Sequence, residues 1–149
     1  MITLATLDDI PLLKELCIEY KPNFNELYNI EDLLKSKFHK IFIYKENLSI
    51  VGFIILEETF ETLSILHLYV QKNYRRKKIA TMLIEHTILT AKEYMNIILE
   101  VRTDNLAAVN LYKKYNFKII NIRKKYYNGI DAYVMERKIN LEECKNIGN

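Results

Sequence analysis

An α/β domain with a mostly antiparallel sheet is the fold class that this sequence predicts, and three observations predict it. Short β-rich runs alternate with helix-patterned segments along the whole chain. Three β-rich runs follow one another between residues 40 and 71, as in a meander of hairpins. A helical stretch then leads into a single dense apolar run, which is the pattern of a crossover joining two parallel strands. The chain has 149 residues, of which 50% are hydrophobic and 28% charged. That composition suits one folded domain over 1–139, followed by a polar tail over 140–149.

The first element is the short β-type run "ITLAT". "LDDIPLLKELCIEY" follows with helical spacing, so that Ile10, Leu13, Leu16, Cys17 and Tyr20 share a face. Asp8 or Asp9 is expected to cap its start, with Pro11 tolerated in the first turn. "NIEDLLKSKF" reads as a second, short helix, capped by Asn29 and acidic where the helix end is positive. The strands "KIFIYKE", "SIVGFIILEE" and "TLSILHLYVQ" come next, with hairpin connections at Glu46-Asn47 and between Glu58 and Glu61. A long helix spans roughly 77 to 94, with Ile79, Met82, Leu83, Ile88 and Ala91 recurring at three- and four-residue spacing. "MNIILEVR" is dense enough in apolar residues to be a strand buried on both faces. A helix from Asn105 to about Tyr115 and a closing strand pair around Asn128-Gly129 complete the order β-α-α-β-β-β-α-β-α-β-β. This amounts to about seven strands and about four helices.

Several function classes are excluded or weakened by the bulk numbers. A net charge of +3 is too small to mark a general nucleic-acid binder. No apolar run approaches the roughly 18 residues that a spanning helix needs. The N-terminus shows no basic and apolar leader pattern, and Cys17 and Cys144 fit no CxxC or metal spacing, so a reduced, cytoplasmic setting is expected. His39, His67 and His86 form no cluster in sequence, and no metal site is expected.

Charge distribution says more than the total. Residues 72–78, "KNYRRKK", carry five basic side chains and no acid, immediately before the long helix. The N–H groups that open a helix point outward without partners, and the helix dipole is positive there, so an anion satisfies both. A solvated helix end or an RNA-contacting patch would use the same cations. Glu100 poses a second question. A carboxylate inside a dense apolar strand costs free energy unless a polar cleft or a partner compensates. A cleft and a plain Glu100–Arg102 surface pair both remain open.

The order of elements, with "VQKNYRRKKIATML" and "LEVRTDNLAAVNLYKKYNF", resembles the GNAT superfamily of acetyl-CoA-dependent N-acetyltransferases. Within it the chain looks most like the RimI-type ribosomal-protein alanine N-acetyltransferases. The resemblance covers nearly the whole chain and is strongest over about 64–139, where "RKKYYNGIDAYVM" supports it. It implies a GNAT fold, acetyl-CoA as cosubstrate, a protein N-terminus as acceptor, and neither membrane nor stable nucleic-acid partner.

The resemblance also implies roles, residue by residue. The family's pyrophosphate-binding motif falls on Arg75, Arg76, Lys77, Lys78, Ile79 and Ala80, giving a cradle from Arg76 through Thr81. Lys78 stands where the family has Gly, and it is expected in ordinary helical φ/ψ, still donating its N–H. Backbone groups of Leu68, Tyr69 and Val70 would hold the pantetheine arm and the acetyl carbonyl. Glu100 would be the base, because an ammonium must lose a proton before it attacks a thioester, and a partly desolvated carboxylate is the stronger base. Tyr112 would be the acid that assists departure of the thiol. Asn105 would both cap its helix and touch the coenzyme. Asn116 replaces Gly at a helix end that favours a left-handed residue. Tyr126 and Tyr127 would line the peptide groove, with "KPNFNELY" as its other wall. Each of these residues also has a purely structural reading, as strand, cap or core. A small-amine acetyltransferase acting on a polyamine or amino sugar is the alternative enzyme, and a non-catalytic RNA- or ribosome-binding module is the alternative of another class.

Overall fold

The sheet is seven-stranded, in the order β1-β2-β3-β4-β5-β7-β6, and β4 pairs in parallel with β5. The structure, a computed structural model, describes residues 1–91 and 95–138. Its strands are β1 Ile2–Leu4, β2 His39–Glu46, β3 Ser49–Thr59, β4 Thr62–Val70, β5 Asn96–Arg102, β6 Lys118–Tyr127 and β7 Ile130–Lys138. The helices are α1 Ile10–Tyr20, α2 Phe24–Leu27, α3 Ile30–Lys35, α4 Ile79–Thr90 and α5 Leu106–Lys114, with single 3₁₀ turns at Leu7–Asp9 and Lys72–Tyr74. The tail over 140–149 and the last residues expected in the long helix lie outside the described residues. The GNAT arrangement expected from the sequence is the one observed, with one helix more than foreseen.

The chain forms two compact units. The first comprises Met1–Glu57 and His67–Thr87, and the second Glu58–Leu66 with the described residues from Ile88 onward. In the first unit, Leu13, Leu16 and Cys17 of α1 pack with Phe24, Ile30, Ile41, Ile43, Phe53 and Ile55. Each large side chain buried in this way contributes about 2 kcal/mol. Asp9 does not cap α1 as expected. Its carboxylate turns back to accept from the Thr6 amide at 2.8 Å and the Thr6 hydroxyl at 3.2 Å, and it pairs with Lys45 at 2.9 Å. The 3₁₀ turn before α1 brings the carboxylate back over Thr6, and the α1 amides lose that partner. Asn29 caps α3 as its position suggests, accepting from the Asp32 amide at 3.1 Å. The extra helix, α2, is one turn in a segment read as a link.

In the second unit, β5 alternates rather than being buried on both faces: Ile97, Leu99 and Val101 are buried, while Asn96, Ile98 and Glu100 are half-buried. The β4–β5 register ends at Ile65↔Leu99. Asn105 Oδ1 accepts from the Ala108 amide at 3.2 Å and starts α5. Asn116, with φ of 65°, ends it in the left-handed region that asparagine tolerates. Arg137 is buried and donates to the Tyr115 carbonyl at the C-terminal end of α5. Asn128 and Gly129 both have positive φ, 45° and 89°, and turn β6 into β7 with Tyr127 facing Ile130. This is the two-residue hairpin whose twist matches that of the strands.

Candidate active site

The first unit holds the basic run. After the 3₁₀ turn, Arg75 is extended, and Arg76 and Lys78 are both left-handed, with φ of 63° and 62°. The expectation for Lys78 is therefore corrected: it stands in the conformation that glycine adopts freely, although it carries a Cβ. A left-handed residue cannot sit inside a right-handed helix. Hence α4 begins at Ile79 rather than near 77, and the Lys78 carbonyl accepts its first bond, from the Met82 amide at 3.0 Å. Backbone N–H groups in such alternating conformations form concavities suited to anions.

A pocket of about 280 Å³ opens at this point, lined by Val70, Tyr74, Arg75, Arg76, Lys78, Ile79, Ala80 and Thr81. Lys77 is not part of its lining; its ammonium lies 4.9 Å from the Tyr74 ring centroid. Arg75 folds back as well. Its Nε donates to the Val70 carbonyl at 3.1 Å, and its guanidinium stacks over Tyr69 at 5.5 Å. The end of β4 and the loop that follows are thereby tied to each other.

Gly52 on β3, against Ile79 of the pocket lining, is a residue that the sequence reading passed over. A Cβ there would lie 3.2 Å from Ile79 Cγ2 and 3.3 Å from the Tyr69 carbonyl oxygen. Only the absent side chain lets the start of α4 and the end of β4 approach β3 so closely. A glycine inside the apolar run "IVGFII" was the available signal. Tyr74 in the pocket lining was likewise missed, and it carried no pattern of its own.

The second unit holds the proposed acid and base. Glu100 is half-buried on β5, and one carboxylate oxygen pairs with Arg123 Nε at 3.0 Å. Arg102 instead pairs with Asp104 at 2.8 Å, so the Glu100–Arg102 pair considered from sequence does not form. Arg123 reaches Glu100 from β6, across β7, and its guanidinium also covers the Tyr126 ring at 5.2 Å. Tyr126 and Tyr127 meet edge to face with centroids 4.9 Å apart. Tyr112 is buried beside Phe117, 5.6 Å between centroids, and burial pushes its phenol well above the ordinary tyrosine range, with Tyr127 adding to the effect. It remains protonated at any physiological pH. Asn105 spends its side-chain oxygen on the helix cap.

Cys17 is fully buried, and burial pushes its thiol up to about 12, which removes it as a nucleophile. Cys144 lies outside the described residues. Among the described residues no group of three or more His, Cys, Asp or Glu is arranged to hold a metal. No described helix is long and apolar enough to cross a membrane.

Residues 10–117 match the acetyltransferase (GNAT) family. The chain belongs to the GNAT acetyltransferase family. It is thus an acyltransferase. One relative is an N-alpha-acetyltransferase of Saccharolobus solfataricus, 34% identical over 91% of this chain and 90% of its own. Among solved structures, Ard1 from Thermoplasma volcanium is 28% identical, with a TM-score of 0.74 over 93% of this chain and 97% of its own. The ribosomal-protein-S18-alanine N-acetyltransferase from Escherichia coli has a TM-score of 0.76 at 24% identity, over 95% of this chain and 96% of its own. At that identity the likeness speaks for the fold alone.

Proposed function

We propose that this GNAT protein moves an acetyl group from acetyl-CoA to the N-terminal α-amine of a protein. One observation carries the donor half of the reading: two left-handed residues, Arg76 and Lys78, open α4 onto a pocket lined by Arg75, Arg76 and Lys78. Backbone amides of Arg76 through Thr81 would grip the pyrophosphate, and the strand end Leu68–Val70 would align the pantetheine arm. The bound coenzyme supplies an acetyl thioester. The acceptor class is supported by the relative from Saccharolobus solfataricus, whose name is N-alpha-acetyltransferase.

In this reading the acceptor ammonium gives a proton to Glu100, through a water, and the freed amine attacks the acetyl carbonyl. A C–N bond forms, the C–S bond breaks, and the departing sulfur takes a proton from Tyr112; the second proton that the nitrogen sheds as it becomes an amide restores the phenol, and the net proton released is the one Glu100 took. Amides of β4 would steady the developing oxyanion. Arg123 holds one oxygen of Glu100, so the reading requires the other oxygen to accept the proton. By the family resemblance, Tyr126 and Tyr127 would line one wall of the peptide groove and the segment 21–28 the other. A ribosomal protein opening with alanine is the first acceptor to test, by likeness to RimI-type enzymes.

Acetyl-transfer mass spectrometry on peptides opening with Ala, Ser, Met and Gly, run beside polyamines and amino sugars, tests the proposal. Peptide products acetylated on the α-amine support it. Acetylation of the small amines alone overturns it. Salt-sensitive RNA binding without any thermal shift from acetyl-CoA would favour the non-catalytic module instead.

A further inference from the structure

His67 is a histidine buried in the middle of an aromatic cluster, in the residue before the β4 segment that the proposed reaction uses. It is 8% exposed. Its Nδ1 lies 2.9 Å from the Tyr20 hydroxyl. Its ring meets those of Tyr20, Phe24 and Tyr28 nearly edge to face, at 5.6, 5.1 and 5.1 Å. Tyr20 in turn packs on Tyr69 at 5.1 Å. A leucine or phenylalanine would bury as much apolar area without desolvating an imidazole. Core filling alone therefore gives no reason for a histidine.

The neighbouring segment supplies a reason. α2 is a single turn of four residues, Phe24–Leu27, too short to hold its own shape in water. Its placement must come from tertiary anchors. Phe24 is fully buried and Tyr28 sits at the surface end of the cluster, both against the His67 ring. Asn25 adds one bond, to the Lys14 carbonyl at 3.3 Å. Burial, with the Lys21 ammonium nearby, pushes the His67 imidazole down to about 4, so the ring stays neutral and one nitrogen remains an acceptor or donor for Tyr20.

We propose that His67 is a positioning residue for the acceptor: through Tyr20 and the rings of Phe24 and Tyr28 it fixes the segment 21–28 against β4. This rests on the reading that the segment walls the peptide groove. None of the strut's residues His67, Tyr20, Phe24 and Tyr28 lines the coenzyme pocket, and Tyr20→Phe keeps the ring that packs on Tyr69.

Tyr20→Phe removes only the hydroxyl and is the mild test; His67→Ala and the double variant complete a cycle. With a peptide that the wild type acetylates, Tyr20→Phe is expected to raise the acceptor KM about fivefold, the effect of one lost hydrogen bond. The acetyl-CoA KM and kcat stay within about twofold. The double variant should be no worse than His67→Ala. An unchanged acceptor KM overturns the strut, as does a parallel fall in kcat and coenzyme affinity, which marks general damage. Amide hydrogen exchange over residues 21–28, measured without acceptor, separates this proposal from the one beneath it. Faster exchange in Tyr20→Phe supports the strut even if the wild type acetylates no peptide, an outcome that overturns the acceptor reading alone. Unchanged protection overturns the strut whatever the acceptor.

Discussion

Replacing Lys78 by glycine should make the protein more stable, although it deletes a charged side chain at the mouth of a helix. Lys78 has φ of 62°. A residue with a Cβ in the left-handed region costs about 1–2 kcal/mol. Glycine removes that cost and gives back about 0.5–1 kcal/mol through its greater freedom in the unfolded chain. The net gain is about 0.75 kcal/mol at the middle of these ranges, or about 1.5–3 °C in Tm for a chain of this length. Lys78→Ala keeps the Cβ and should gain nothing. At Lys77, which is not left-handed, the order reverses, and glycine falls below alanine by about 0.5–1 kcal/mol. Thermal unfolding of the four variants, followed by circular dichroism without ligand, reads this sign change between adjacent positions. Lys78→Gly no more stable than Lys78→Ala would refute the backbone argument. The same series with acetyl-CoA addresses the grip. If amides hold the diphosphate, Lys78→Gly keeps the ligand-induced shift; if it disappears, the lysine ammonium was carrying the affinity.

Three further expectations can be checked. Gly52→Ala places a Cβ 3.3 Å from the Tyr69 carbonyl and 3.2 Å from Ile79, and denaturant titration should show a loss of about 1–3 kcal/mol; wild-type stability would mean that β3 moves freely there. Burial raises the Asp9 carboxyl's pKa, but the Thr6 amide and Lys45 outweigh it and hold the group below its ordinary value. Its stabilising share is therefore present above the unfolded value near pH 4 and is lost as pH falls through the folded value. Asp9→Asn should flatten the acid limb of the stability curve, and an unaltered limb would exclude Asp9 as its source. Glu100→Gln should cut peptide acetylation at neutral pH by about 10²-fold while the acetyl-CoA thermal shift persists, and Tyr112→Phe should do so more mildly; near-normal turnover removes either residue from the mechanism.

Elements signalled by neighbouring residues were the readable ones. Asn29 and Asn105 reach amides three residues on, Asn116 closes a helix in place, and Asn128-Gly129 supplies two positive φ values side by side. Each interaction closes within one turn of chain, so spacing alone exposes it. α2 escaped notice because one turn carries too few residues for a period to show. Asp9 was misread because Thr6 and Lys45 outbid the helix for its carboxylate, and Lys45 lies on another strand.

The alternation of runs and breaks therefore sufficed for the element order and the crossover, while the family resemblance needed the particular residues of "VQKNYRRKKIATML" and "LEVRTDNLAAVNLYKKYNF". Folding settled which groups meet. Arg123 reaches Glu100 over an intervening strand, His67 meets Tyr20 from a distant helix, and Lys78 takes a glycine's conformation in a loop tied back by Arg75 to Val70. Hydrophobic period and capping are properties of a few consecutive residues. Partner choice for a buried or half-buried polar group depends on strand register and on what remains unsatisfied after packing, and no local window contains that information.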